Sequence, residues 1–210
     1  MGCVIMIEAA DPDTPSPGER DGRGVSLYGS AVEYALHCLL WLAPARETPA
    51  SSRDLAELTG VSPALVAKLL PKLEKAGVLA AQGGIAGGYR LARPADEITV
   101  LEIVEAVDGG KRLFDCKDVR LKCPLFGADP PTWASHGLCT IHAVMLRAEK
   151  SMRREMAHTT LLDIANGVER KAPATFGDDV GRWLDDRVAD RETARVTAIR
   201  DSARRRSLEG

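Results

Sequence analysis

Aromatic side chains are scarce in this chain, at only 4% of 210 residues. A core of Trp, Tyr and Phe between two sheets is therefore excluded, and apolar packing must rest on Leu, Val, Ile and Ala, which favours helices. No run approaches the roughly 18 apolar residues that a membrane span needs. Val4-Ile5-Met6-Ile7 is too short for the apolar stretch of a secretory signal. Neither charge sign dominates: 28 Lys and Arg stand against 30 Asp and Glu, a net −2. A uniformly basic coat is excluded, but a local basic patch is not. The tight Cys-x-x-Cys pair of a zinc knuckle is missing. So are a paired acid/base constellation, a nucleophile motif and a phosphate loop, which argues against an enzyme. The glycine-rich stretch at residues 83–88 lacks the Lys-Ser/Thr ending of such a loop and runs instead into Tyr89-Arg90-Leu91.

Apolar residues make up 45% of the chain, enough for one domain or for a small domain with a helical extension. Residues 1–24 are rich in Pro, Gly and charge and read as a disordered arm. Residues 26–43 predict a helix with Val32, Ala35, Leu36, Leu39 and Leu40 on its buried stripe. Pro44 ends it. Ser51 with Asp54 marks the start of a second helix, closed at Thr59-Gly60. Ser62-Pro63 reads as the cap and first residue of a third, which ends at Gly77. Pro71 lies inside that third helix, so a kink or an earlier end is expected there. Two short strands follow, residues 78–81 and 89–91, joined by the glycine-rich turn. Thr99 with Glu102 is a strong capping box that opens a helix to Val107. Residues 110–137 are irregular. From Leu138, Ile141, Met145, Ala148, Met152 and Met156 recur at steps of three and four, predicting a long amphipathic helix over 138–164. Residues 165–210 form a charged extension with one helix at about residues 180–200.

Two short helices about a glycine turn, followed by a hairpin, make a winged helix-turn-helix in a mainly α fold. The domain covers residues 25–109. Its third helix would enter a major groove and meet base edges with Ser62, Ala64, Leu65 and Lys68. Small and apolar side chains there suit thymine methyls. Lys68 and Lys72 are placed for phosphates, and Arg90 at the base of the wing is the charge to insert in a narrow groove. Residues 51–94 hold six Lys and Arg against three Asp and Glu, a local +3 in a net negative chain. The duller alternative is a winged helix that binds protein, with its lysines merely solvated.

Five cysteines in a chain read as cytoplasmic suggest ligands, redox groups or core filler ahead of disulfides. Cys38 sits in an apolar run and reads as core, and Cys3 in the arm as incidental. Cys116, Cys123 and Cys139 fall within the loop at residues 110–137 and just after it, with six and 15 residues between them. Open spacing of this kind suits thiolates wrapping an iron–sulfur cluster. His142 follows Cys139 by three residues and is a candidate fourth ligand. Glu33 and His37 share a face of the first helix at i,i+4 spacing.

Three motifs then carry a resemblance. They are Leu55-Ala56-Glu57-Leu58 with Val61-Ser62-Pro63-Ala64-Leu65-Val66-Ala67-Lys68, Gly87-Gly88-Tyr89-Arg90-Leu91-Ala92-Arg93-Pro94, and the run from Glu97 to Gly109. Together they resemble the Rrf-type winged-helix repressors over about residues 25–164. That family includes an iron–sulfur cluster regulator, a nitric-oxide-sensing repressor and a redox-sensing actinobacterial branch.

The resemblance implies a homodimer on a palindromic double-stranded DNA operator, away from membranes. Its partner contact would be the helix bearing Leu138, Ile141, Met145, Ala148 and Met152. It implies a repressor that senses redox state or nitric oxide, with a 2Fe–2S cluster ahead of a 4Fe–4S one. Val32-Glu33-Tyr34-Ala35-Leu36-His37-Cys38 looks like the redox-sensing branch and implies Glu33, His37, Cys116 and Cys139 as ligands. Cys139-Thr140-Ile141-His142 looks like the cluster-regulator branch and implies Cys116, Cys123, Cys139 and His142. Outside the resemblance stand a zinc- or thiol-based DNA-binding regulator and, further off, a small iron–sulfur redox enzyme or electron carrier.

Overall fold

A computed structural model of the protein describes residues 26–44, 48–84 and 87–208. The arm at residues 1–24 and the tip of the wing at Ile85 and Ala86 lie outside the described residues.

The chain is mainly helical, with one small sheet. In order it forms α1 (Ser30–Leu40), α2 (Ser52–Thr59), α3 (Pro63–Lys75), β1 (Leu79–Gln82), β2 (Gly88–Leu91), α4 (Val100–Asp108), α5 (Thr132–Ser135), α6 (Thr140–His158), α7 (Leu161–Glu169) and α8 (Phe176–Leu208). Val32, Ala35, Cys38 and Leu39 of α1 meet Leu55 of α2, Leu70 and Leu73 of α3 and Ile103 of α4 in one core. Each Val, Leu or Ile side chain so withdrawn from water contributes roughly 1.5–3 kcal/mol.

α1 is shorter than the periodicity predicts. Gly29 stands at its amino cap, and Leu42 and Ala43 close its last turn with short bonds to Leu39 and Leu40 just before Pro44. α2 opens on the expected box, in which Ser51 and Asp54 satisfy each other's backbone amides, and it stops at Gly60 in the left-handed region (φ 67°). α3 continues past Pro71 to Lys75, so it does not end early there. The bond that Pro71 removes would have ended on Ala67, and both residues are exposed, so water can take the orphan carbonyl.

β1 and β2 pair antiparallel, Leu79 opposite Leu91 and Ala80 opposite Arg90. A third segment, unforeseen in the sequence, joins this wing. Ala50, just before α2, forms a bridge with Tyr89 through bonds of 3.0 and 2.8 Å. Gly88 permits it: a Cβ there would lie 2.4 Å from the Ala50 carbonyl oxygen.

The helix expected over residues 138–164 is two helices. α6 ends at His158, and a new capping box of Thr160 with Asp163 starts α7. The chain breaks there because Thr159 and Leu161 bond to Val100 and Ile98, which pins the junction to the start of α4 and buries Leu161. The helix expected near residues 180–200 spans Phe176–Leu208 and packs back on the domain. No helix among the described residues is long and apolar enough to cross a membrane.

Candidate functional site

The amino end of α3 stands out from the core. Ser62, Pro63, Ala64 and Lys68 are exposed, while Leu65 turns partly inward against the core. Ser62 holds the cap position, yet its hydroxyl caps nothing, since Leu65 and Val66 bond to its carbonyl instead. A free hydroxyl at a projecting helix end is available for an outside partner. Arg90 is exposed on the wing and Arg53 on the first turn of α2.

Lys72 has a different placement from the one its spacing suggests. Its ammonium donates to the Val107 carbonyl at 2.8 Å, near the carboxyl end of α4. It therefore ties the third helix to α4. Further ties run outward from α4: Glu105 pairs with Arg153 of α6, and Val100 bonds to Thr159.

On α1, Glu33 is exposed and His37 half-buried, on the side opposite the buried Ala35 and Leu39. Cys38 points into the core, where burial pushes its thiol up to about 11 against a weaker pull from Thr59. A thiol held protonated in that way is a poor ligand and nucleophile, which agrees with its reading as core filler.

The loop between α4 and α6 carries three thiols, all half-exposed and none in a disulfide. Cys139 is the residue just before α6. The backbone amides of His142 and then Ile141 hold its thiol below the ordinary range, with a smaller contribution from Arg120. Arg120 has no signal in the sequence but organises the loop. Its guanidinium donates to the Gly137 carbonyl at 2.6 Å and lies 3.7 Å from the Asp118 carboxylate. Gly137 is two residues from Cys139. Asp118 is two residues from Cys116, whose Sγ lies 3.8 Å from the Asp118 Oδ1. Arg120 therefore draws the flanks of Cys116 and Cys139 together. Cys123 stands between two short 3-10 turns, Val119–Lys122 and Pro124–Phe126. His142 packs against Phe114 with ring centroids 5.9 Å apart. Among the described residues of one chain, no three His, Cys, Asp or Glu side chains converge as a metal site. The donors match a soft metal in chemistry, but one chain does not assemble them.

α6 buries none of its residues fully. One side meets α4, with Met145, Glu149, Met152, Arg153 and Met156 half-covered. On the other side Ile141 (67%), Val144 (49%) and the preceding Leu138 (56%) are exposed, with Ala148 beside them.

The family model for Rrf2, an iron-dependent transcriptional regulator, matches residues 28–167. An HTH-type transcriptional regulator of Mycobacterium tuberculosis, Rv1287, is 32% identical over 149 residues, 70% of this chain and 86% of that protein. IscR of Aliivibrio salmonicida is 41% identical over 80 residues, 38% of this chain and 48% of that one. Among solved structures, T. potens IscR superposes with a TM-score of 0.52 at 25% identity, covering 72% of this chain and 93% of that one. CymR of B. subtilis shares the fold at a TM-score of 0.51 and 21% identity, over 68% and 98%. These proteins are regulators and not enzymes. With its winged helix-turn-helix and a family match across two thirds of its length, this chain belongs to the Rrf2 family of DNA-binding transcriptional regulators.

Proposed function

We propose that this regulator acts as a homodimeric repressor on a palindromic operator, and that its grip on DNA is set by an iron–sulfur cluster sensing redox state or nitric oxide. The observation that carries the reading is the Arg120 staple, which brings the flanks of Cys116 and Cys139 together beside a thiol already biased toward thiolate. Both ligand sets use that pair of cysteines; the set of Glu33, His37, Cys116 and Cys139 is preferred over one that needs Cys123 and His142 because of where Glu33 and His37 lie. Glu33 and His37 are turned away from their own core, as donors shared with a second chain must be. The stripe of Leu138, Ile141, Val144 and Ala148 is the surface on which that second chain would sit, with Met145 and Met152 at its edge.

When bound, the cluster supplies a charge and a thiolate lability that change with oxidation or nitric oxide. The chain's own residues supply the coupling. A shift of the loop and α6 reaches α4 through Arg153–Glu105, and α4 reaches α3 through Lys72 and Val107. The two third helices would then change their spacing against half-sites about 34–36 Å apart. Ser62, Ala64 and Lys68 form the base- and phosphate-facing set, with Leu65 at its inner edge and Arg90 on the wing.

The test is anaerobic purification followed by a visible spectrum with iron and acid-labile sulfide assays. Colour with matched iron and sulfide is expected, and the double change Glu33→Ala, His37→Ala should alter that spectrum. An unaltered spectrum, with loss in Cys123→Ala or His142→Ala instead, would reverse the ligand assignment. A colourless chain after reconstitution leaves a zinc- or thiol-based regulator, for which the Cys139 thiol is the reactive group.

A further inference from the structure

The family match ends at residue 167, and α8 lies wholly beyond it. The helix is polarised along its length. Residues 176–192 carry six Asp and Glu against three Arg, whereas residues 193–208 carry five Arg (195, 200, 204, 205 and 206) against Asp201 alone, a net +4.

Its first half is docked. Leu184 and Val188 are buried, and Phe176 meets Trp41 edge to face with ring centroids 6.0 Å apart. The three arginines of this half are each taken up by a carboxylate: Arg182 by Asp179, Arg187 by Glu57 and Arg191 by Asp54. The last two pairs also set the direction. As α8 advances from Arg187 to Arg191, its partners step back along α2 from Glu57 to Asp54. α2 ends there at its Ser51 cap, and the residue before it, Ala50, is bridged to Tyr89 of the wing. The second half of α8 thus leaves the domain past the amino end of α2, on the wing side, and extends about 25 Å at 1.5 Å per residue.

Among the described residues, Arg195, Arg200 and Arg205 are exposed and take no carboxylate of their own chain, unlike the arginines of the docked half. Arg53 and Arg90, also exposed, lie on the neighbouring α2 and wing.

We infer that the second half of α8 is a further DNA-binding element, an arginine arm that contacts duplex phosphates flanking the half-site read by α3. This rests on the DNA-binding role of the winged domain and extends it. A rod of net +4 beside a DNA-reading wing is attracted by a duplex, whose phosphates are spaced about 1.7 Å apart along the axis. Val196 and Ile199 are exposed on the arm and would suit a second copy of the chain. Two like-charged arms, however, repel one another, and the apolar surface that a second copy needs is already present on α6. The contact is to phosphate, so it adds affinity and footprint and no sequence preference.

The test is the triple variant Arg195→Ala, Arg200→Ala, Arg205→Ala in the full chain. Binding to a long mixed-sequence duplex is followed by fluorescence anisotropy between about 50 and 200 mM salt. The parent should bind, and the variant's plot of log affinity against log salt should be shallower by about 2 to 3 per protomer, close to one per phosphate contact removed. Thermal unfolding and sedimentation should match the parent. An unchanged slope would overturn the arm while leaving the winged domain's role intact. A shallower slope accompanied by dissociation of the dimer would assign the arm to a contact between copies and overturn it too. A parent that binds no duplex at low salt would remove the DNA reading itself, and the arm with it.

Discussion

The Asp54 carboxylate joins the capping box of α2 to Arg191 of α8, 137 residues away in the chain. Asp54 is buried (side chain 5% exposed) and accepts from the Ser51 amide at 3.2 Å and the Ser51 hydroxyl at 2.6 Å as well as from Arg191. One carboxylate thus starts a helix of the DNA-binding unit and anchors the extension that lies outside the family match.

Arg191→Met keeps the apolar stem and removes the cation. The expected cost is about 1.5–3 kcal/mol, the range for a charge-assisted bond to a buried group. For a chain of this size that is a fall in Tm of about 3–12 °C. Calorimetry checks it, with limited proteolysis to show whether α8 is released. A variant with unchanged Tm would mean that α8 is held by its other contacts, Leu184, Val188, Phe176 on Trp41 and Arg187 with Glu57, without help from Arg191.

Glu102 controls an acid-sensitive step. Burial by itself would raise its carboxyl, but the Thr99 backbone amide, the Arg93 guanidinium and the Thr99 hydroxyl outweigh it and hold Glu102 below the ordinary range. A group depressed in the folded state stabilises above its unfolded pKa of about 4.3 and loses that contribution as pH falls through the folded value. Tm should therefore drop less steeply below about pH 4.3 in Glu102→Gln than in the parent. Equal acid limbs would assign the dependence to other carboxylates.

Gly88→Ala tests the Ala50–Tyr89 bridge. The new methyl would meet the Ala50 carbonyl within a forbidden distance, and the wing must swing away. Overpacking of this kind costs about 1–3 kcal/mol. Chemical denaturation should register that loss, and DNA affinity should fall with it, since Arg90 moves with the strand. A variant as stable as the parent would show that the bridge is dispensable.

Lys68→Ala separates contact from folding. Lys68 is exposed on α3, so stability should stay within about 0.5 kcal/mol. The salt slope of DNA binding should fall by about 1 per protomer. Lys72→Ala should do the reverse, loosening α3 from α4 and lowering Tm, because its ammonium is committed to Val107. If Lys72→Ala changes only the salt slope, Lys72 belongs with the phosphate contacts after all.

Ile141→Asp, Val144→Asp places charge in the exposed stripe of α6 without touching its α4 face. Sedimentation should show monomers where the parent shows dimers, with the helical circular dichroism retained. A dimer that survives would put the subunit contact elsewhere.

Local chemistry made much of this protein legible in its sequence. Two of the three capping boxes, Ser51 with Asp54 and Thr99 with Glu102, are read from residues three apart, whose bonds to each other are local. The same holds for Gly60, for the three-and-four spacing of the helices and for Cys38 within an apolar run. These placed the winged helix-turn-helix and the exposed amino end of α3, along with the Rrf2 membership that follows from their order. Tertiary structure decided what depends on contacts remote in the chain. The break between α6 and α7 comes from a strand-like bridge between Thr160 and Thr99, 61 positions earlier. The Lys72 ammonium reaches a carbonyl of α4, a contact that no spacing rule contains. Arg120, invisible as a motif, became the staple of the cysteine loop because Asp118 and Gly137 fold onto it. The direction of α8 was settled by two ion pairs to α2. Periodicity could establish that residues 176–208 are helical, but only the Arg187–Glu57 and Arg191–Asp54 contacts determine which way the basic end points.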